Sequence, residues 1–393
     1  MSEGPFPRTG PPFPTLAGTR VPQGHGGTRQ SHPHELEIIM KTGRTLLNLA
    51  QELERQQATK KDLVLPMSVL HHSTEADGQT YVVVPENGRP ERYGLTPLAR
   101  RQLADKLRIP LVYFERMRET QPQLLDHNIN TWMQHDGDRR LLRTLDGQVR
   151  AVLSDRYRRL DNIDLAEAVL PILQQLPDVQ FASMELTETR MYLKCVTPRL
   201  SHEMAPGDVV QAGVVVSNSE VGLGMLTVQP LLFRLVCRNG LIAADHGLRK
   251  THVGRSLGRE DEGLTVFRDD TLHADDRAFF LKVRDVVQAA VSEATFRQTA
   301  QKLQRTLNIP LTGDPVQTVE VLAQRYTLNE HERSGVLRHL ISGGMLSAYG
   351  LVNAVTHFSQ EVEDYDRATE FEALGGRLIA LAPADWQGLA QAA

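Results

Sequence analysis

Apolar positions along the chain fall into blocks whose period changes several times, and each change marks a different kind of element. Residues 1–34 hold seven Pro and six Gly with no apolar periodicity, so they bury too little surface to offset the entropy of ordering and read as a disordered tail. Order is expected from about Leu36. Leu46, Leu47, Leu49 and Leu53 fall at helical spacing behind Thr42, a candidate N-cap, which predicts a helix to about Gln57. Segments 62–69 and 79–84 read as strands, the second built on Tyr81, Val82, Val83 and Val84. From Thr96 the spacing becomes helical again. Leu98, Ala99, Leu103, Ala104 and Leu107 follow that cap until Ile109-Pro110 stops the segment, because the residue before proline disfavours the α region. Two short helices follow, one with Leu111, Tyr113, Phe114 and Met117, the next with Leu124, Leu125, Ile129, Trp132 and Met133.

The pattern turns to β at Arg140. Segments 141–145 and 149–154 flank Asp146-Gly147, a dipeptide suited to a two-residue hairpin turn. A helix over 163–175, with Asp161 or Asn162 as N-cap, is closed by Pro177. A second hairpin joins 179–186 to 190–196, and longer strands are expected at 209–217 and 228–236. After about Asp275 the strand signals stop. One long amphipathic helix is expected over 279–307, and further helices near 316–326, 330–342, 348–360 and 365–382. The fold class is therefore α+β: a mainly antiparallel sheet of hairpins with a crossing helix, between an N-terminal helical subdomain and a C-terminal helical bundle. The expected organisation is a tail (1–34), an N-terminal α/β subdomain (35–138), a hairpin-rich core carrying basic clusters (139–274) and a helical C-terminal region (275–393).

Composition narrows the class of function. The 393 residues carry 44 Lys plus Arg against 48 Asp plus Glu, a formal charge of −4, which excludes a protein that coats itself in polyanion. Nothing resembles a membrane helix or a secretory leader, so a cytoplasmic protein without a membrane partner is expected. Cys195 and Cys237 are too few for a disulfide framework or a four-thiolate zinc site. The basic residues split into 36 Arg and 8 Lys, which fits codon bias in a GC-rich genome or a need for planar guanidinium donors.

The near-neutral total conceals segregation. Residues 139–159 carry seven Arg against two acids, and residues 234–259 carry six basic residues against one acid, so each segment stands at +5. Residues 360–393 carry seven acids and two Arg, a charge of −5. Strand alternation puts Arg143 with Leu141 and Leu145, and sets Arg150 against Val149, Ala151 and Leu153, so these arginines form either solvated strand faces or a phosphate groove. Arg156, Tyr157, Arg158 and Arg159 precede a helix N-terminus, offering guanidinium forks, an aromatic face and backbone N–H groups to a nucleotide. The opposing reading packs Tyr157 in the core and pairs Asp161 with an arginine. The second basic segment opens with Arg234, Cys237, Arg238 and Asn239, a strand ending in Asn-Gly. Cys237 with His246 and His252 would be a nucleophile with candidate bases, but spacing supplies no orienting group and no close-paired zinc motif. There is no Walker loop, no His-Glu-x-x-His and no Gly-x-Ser-x-Gly elbow, so no cofactor or metal is expected and the balance leans away from an enzyme.

Four blocks resemble the domain of unknown function 932 family, often called phage/plasmid-like proteins. They are Ala104–Pro110 with Tyr113-Phe114, then Ala151–Tyr157 with Leu160-Asp161-Asn162. The most specific is Arg234-Leu235-Val236-Cys237-Arg238-Asn239-Gly240-Leu241 followed by His252-Val253-Gly254, and the last runs from Tyr349 to Thr356 with Tyr365, Arg367 and Glu370 beyond it. The resemblance covers about residues 40–380 and implies an association with mobile elements. In outline, a hairpin sheet crossed by a helix with a basic face is also similar to ring-forming single-strand annealing proteins, a likeness of topology and charge alone. The expected function is a non-enzymatic protein that binds single-stranded DNA in recombination or annealing-like work, as a homo-oligomer. Arg150, Arg156, Arg158 and Arg159 would hold phosphates, Tyr157 would stack, and Arg234, Arg238 and Asn239 would line the same groove. The alternatives are a self-assembling module whose acidic C-terminal helices dock on the basic middle, and a Cys/His enzyme.

Overall fold

The computed structural model describes residues 43–392 apart from 87, 158, 225, 244–248 and 251–268. Thr42, Arg158, His246 and His252 lie outside the described residues, as does the segment 1–34. The elements in chain order are α1 (Leu46–Thr59), β1 (Lys61–Pro66), β2 (His71–Thr74), β3 (Thr80–Glu86), β4 (Arg89–Leu95), α2 (Pro97–Lys106), α3 (Leu111–Thr120), α4 (Pro122–His135), β5 (Arg139–Leu145), β6 (Gln148–Ser154) and α5 (Asn162–Gln174). There follow β7 (Gln180–Leu186), β8 (Met191–Ala205), β9 (Asp208–Asn218), β10 (Leu226–Arg234), β11 (Asn239–Ile242), β12 (Arg249–Lys250), α6 (Asp269–Ala290), α7 (Glu293–Arg305), α8 (Pro315–Tyr326), α9 (Glu330–Ser342), α10 (Ala348–Phe358), α11 (Tyr365–Ile379) and α12 (Pro383–Ala390). The fold is α+β. No helix among the described residues is long and apolar enough to cross a membrane.

The strands form two sheets where one was expected. The first runs β1-β5-β6-β4-β3-β2, antiparallel except where β4 meets β6; the second runs β11-β10-β9-β8-β7, with β12 also on β10. The β5–β6 hairpin belongs to the first sheet, since Lys61–Pro66 pairs with Arg139–Thr144. Asp146 and Gly147 both take left-handed φ values, 51° and 75°, the backbone of the tight turn that the dipeptide announces. α2, α3 and α4 cover the first sheet through Leu103, Phe114, Leu125 and Ile129, packed on Val82, Val84 and Val152.

Residues β9 and β10 are buried along almost their whole length because helices lie against both faces. Val214 and Val216 meet α1, α5 and α6, while α11 crosses the other face and covers the edge strand β11. The C-terminal helices pack together around Tyr349, Val352, Phe358 and Leu374. Three local expectations change. Thr45, not Thr42, caps α1, its hydroxyl accepting from Asn48 N–H. The strand expected through Val69 breaks at Pro66 into a 3-10 turn over Met67–Val69. The long helix over 279–307 is two helices, because Ser292 accepts from Thr295 N–H and starts α7 afresh.

Candidate functional site

Where the two sheets meet, six charged side chains converge out of solvent. Arg143, with a relative exposure of 0%, donates from Nε to Asp62 at 3.0 Å, from Nη1 to the Glu220 carbonyl at 3.1 Å and from Nη2 to Asp161 at 2.5 Å. Lys60 Nζ lies 2.6 Å from Asp161 and 3.4 Å from Glu220, and Arg150 Nη2 pairs with the second Glu220 oxygen. Three cations meet three carboxylates, so the burial of each is matched by a partner. Burial alone would push Asp161 up; Arg143 and Lys60 outweigh it and hold the carboxyl below its ordinary range. Glu220 is lowered in the same way, by Arg150 and Lys60 against burial.

A β-bulge builds this convergence. The β5–β6 register jumps between Arg143 opposite Ala151 and Thr144 opposite Val149, leaving Arg150 as the extra residue. Simple alternation put Val149 with Ala151 and Leu153. The bulge instead sends Val149 into the core beneath the N-terminal helices and leaves Ala151 and Leu153 against Val221, so that Arg143 and Arg150 both reach Glu220. The helix start is closed as well. Asp161 is the N-cap residue of α5, and the first helical N–H, that of Asn162, donates to Glu220 Oε1 at 2.5 Å, so a carboxylate of the protein occupies the position proposed for an anion.

The other candidates separate into exposed and structural groups. Arg156 is exposed and makes no side-chain hydrogen bond or ion pair among the described residues, and Arg159 is 49% exposed, its Nε 3.5 Å from Asp62. Tyr157 packs against Leu141, Ala151 and Leu153, and its hydroxyl donates to the Ser219 carbonyl at 3.1 Å; burial pushes its pKa up to about 12. Arg234 forks onto Asp208 at 2.6 and 2.7 Å and donates to Cys237 Sγ at 3.0 Å, while Tyr349 donates to the same carboxylate at 2.5 Å. Asn239 is buried and donates to Thr356 Oγ1 at 2.5 Å. Arg238 is exposed in the turn after β10 with φ 50°. These contacts tie the most specific sequence block to the last one, as a clasp between β10–β11 and α10.

Arg234 and Arg238 are not brought together with the loop arginines, although Arg249 and Lys250 of the second segment pair with Thr227 and Leu226 at the Ser217 end of the sheet. Tyr157 holds the residue just past the end of β9, whereas Arg234 pairs with Val210 and Asp208 at its start, which sets them about 30 Å apart at the rise of an extended strand. The acidic C-terminal segment is largely engaged within the chain: Glu361 pairs with Arg338 and His339, Glu370 with Arg367, Glu372 with Lys194 and Asp385 with Arg325.

Beside the charge network lies a cavity of about 300 Å³, walled by Gln148 and Arg150 from β6, Glu188 and Arg190 from the β7–β8 turn, and Glu220 with Thr96. Sequence reasoning reached Arg150 but missed Glu220, Lys60 and Asp208. The available signal for Glu220 was that it is the single acid between Asp208 and Asp245, set between two apolar strands where a carboxylate needs a buried cation.

This arrangement defines an α+β protein with two helix-covered sheets, joined by an internally neutralised charge cluster beside a polar cavity. A family model described as Domain of unknown function (DUF932) matches residues 149–375, more than half of the chain, and the chain belongs to that family. The matched span contains Arg150, Glu220 and the Arg234–Asp208–Tyr349 clasp. No curated protein and no solved structure matches the chain.

Proposed function

We propose that this protein holds single-stranded DNA without carrying out chemistry on it. The observation that carries this reading is the exposed loop between β6 and α5. Arg140, Arg143 and Arg150 of its segment are neutralised internally, but among the described residues Arg156 makes no side-chain ion pair and Arg159 is held only by a long contact to Asp62. Exposed guanidinium groups, one unpaired and one weakly held, on one short loop fit the phosphates of a flexible strand. Arg238, at the far end of β9, becomes a separate contact instead of part of one groove. Tyr157 orders the loop through Ser219, and its ring is not counted as a stacking platform. Docking between acidic and basic segments of two copies gains less support, because those acids are paired inside the chain. A mobile-element role in recombination or annealing, with copies assembling along the strand, belongs to the same proposal.

Fluorescence anisotropy of a labelled oligo-dT at low salt tests it. Micromolar or tighter binding, competed poorly by duplex of equal length, is the expected result. No binding at low salt overturns the reading.

A further inference from the structure

We infer that the polar cavity between the sheets receives one nucleobase of the bound strand, an inference that rests on the strand-binding reading above. At about 300 Å³ the cavity stands at the lower end of small-molecule sites, enough for one planar ring and its sugar and too little for a stacked run of nucleotides.

Its chemistry suits a base better than a phosphate. Two guanidinium groups, Arg150 and Arg190, line the cavity with four carboxylates, Glu52, Asp146, Glu188 and Glu220. A phosphate entering there would meet like charge. A base edge carries donors and acceptors side by side, and a wall that mixes guanidinium donors with carboxylate and amide acceptors satisfies both.

Arg150 supplies an independent sign. Its Nη2 is held by Glu220, but its Nε is buried and makes no hydrogen bond among the described residues. A buried donor in that state is unfavourable until an acceptor reaches it, and a carbonyl oxygen or ring nitrogen of a base is such an acceptor.

Continuity with the loop is the third point. Tyr157 bonds the Ser219 carbonyl, Arg150 and Asn162 bond Glu220, and Val221 lines the cavity, so one three-residue segment anchors both the exposed arginines and the cavity wall. A strand whose phosphates rest on Arg156 and Arg159 thus has a neighbouring receptacle for an extruded base. Extrusion is least costly from a strand that is already single.

The test uses the full chain and two labelled oligomers of equal length and phosphate number, one oligo-dT and one of abasic tetrahydrofuran residues. Wild type is expected to prefer oligo-dT about tenfold, as loss of base contacts predicts. Gln148→Ala/Glu188→Ala removes two exposed wall residues that make no side-chain hydrogen bond or ion pair among the described residues, and is expected to abolish most of that preference at unchanged salt dependence. Arg156→Ala/Arg159→Ala is expected to weaken both oligomers alike. Equal binding of the two oligomers by wild type, or a full preference retained in the wall variant, overturns the cavity assignment and leaves the strand reading standing. Failure to bind either oligomer overturns the strand reading itself.

Discussion

Replacing Arg143 by methionine probes the charge network at its centre. The side chain is fully buried and donates to Asp62, Asp161 and the Glu220 carbonyl. Methionine fills much of the volume, so packing loss is small and the main effect is electrostatic. Removing one member of a buried ion pair costs about 3–5 kcal/mol, because the partner charge is left uncompensated. Lys60 remains on Asp161 and Arg159 near Asp62, which places the expected cost at the lower end, about 3 kcal/mol. With a urea slope of about 3 kcal/mol/M, the midpoint at pH 7 should fall by about 1 M. The pH dependence supplies the sharper check. In wild type the folded-state pKa values of Asp161 and Glu220 are depressed, so their contribution is complete above the unfolded carboxylate range near pH 4 and is lost as pH falls below it. In Arg143→Met, Asp161 loses the first of the cations that oppose burial and its folded value rises, while Glu220 keeps Arg150 and Lys60. The native variant then binds protons more tightly than its unfolded chain and gains stability as pH falls from 7 toward 4. The gap between variant and wild type should therefore narrow over that interval. A midpoint shift below about 0.3 M, or a gap constant from pH 7 to pH 4.5, refutes the reasoning.

Glu372→Gln leaves the Lys194 ammonium buried beside Thr369 and should cost about 3–5 kcal/mol by thermal or urea unfolding, whereas Lys194→Met/Glu372→Leu should recover most of that loss; equal losses would contradict it. Gly376→Ala would set a Cβ against the Ile242 carbonyl where α11 crosses the edge strand, and should lower stability by about 1–3 kcal/mol, measured as a urea midpoint. Cys195 is buried and burial pushes its thiol far up, so under native conditions iodoacetamide should label Cys237 first; mass spectrometry should show Cys195 labelled only as the chain unfolds.

Local signals in the sequence carried most elements. The Asp146-Gly147 turn and the apolar spacing that marked α8 and α9 depend on neighbours a few residues apart; the structure adds Pro315 at the start of α8 and an Asn329–Glu332 capping box at α9. What escaped depends on pairing at long range. The strand β4 is mostly exposed and polar, so no apolar alternation marked it. The division into two sheets rests on β1 meeting β5 across nearly eighty residues. The site followed the same rule. Arg150 and the arginines of the loop were visible as a charge excess, but Lys60, Glu220 and Asp208, which decide which arginines are neutralised, lie far away in sequence. A one-residue bulge then redirected Arg150, which no periodicity argument resolves.

The central claim is that the exposed loop arginines, and not the buried ones, meet phosphate. Its most direct test is the slope of log Kobs against log salt for oligo-dT, wild type against Arg156→Ala/Arg159→Ala. Each phosphate contact on a single strand contributes about −0.7, so losing two should flatten the slope by about 1.4. A slope unchanged by the double substitution, with binding intact, would contradict the account.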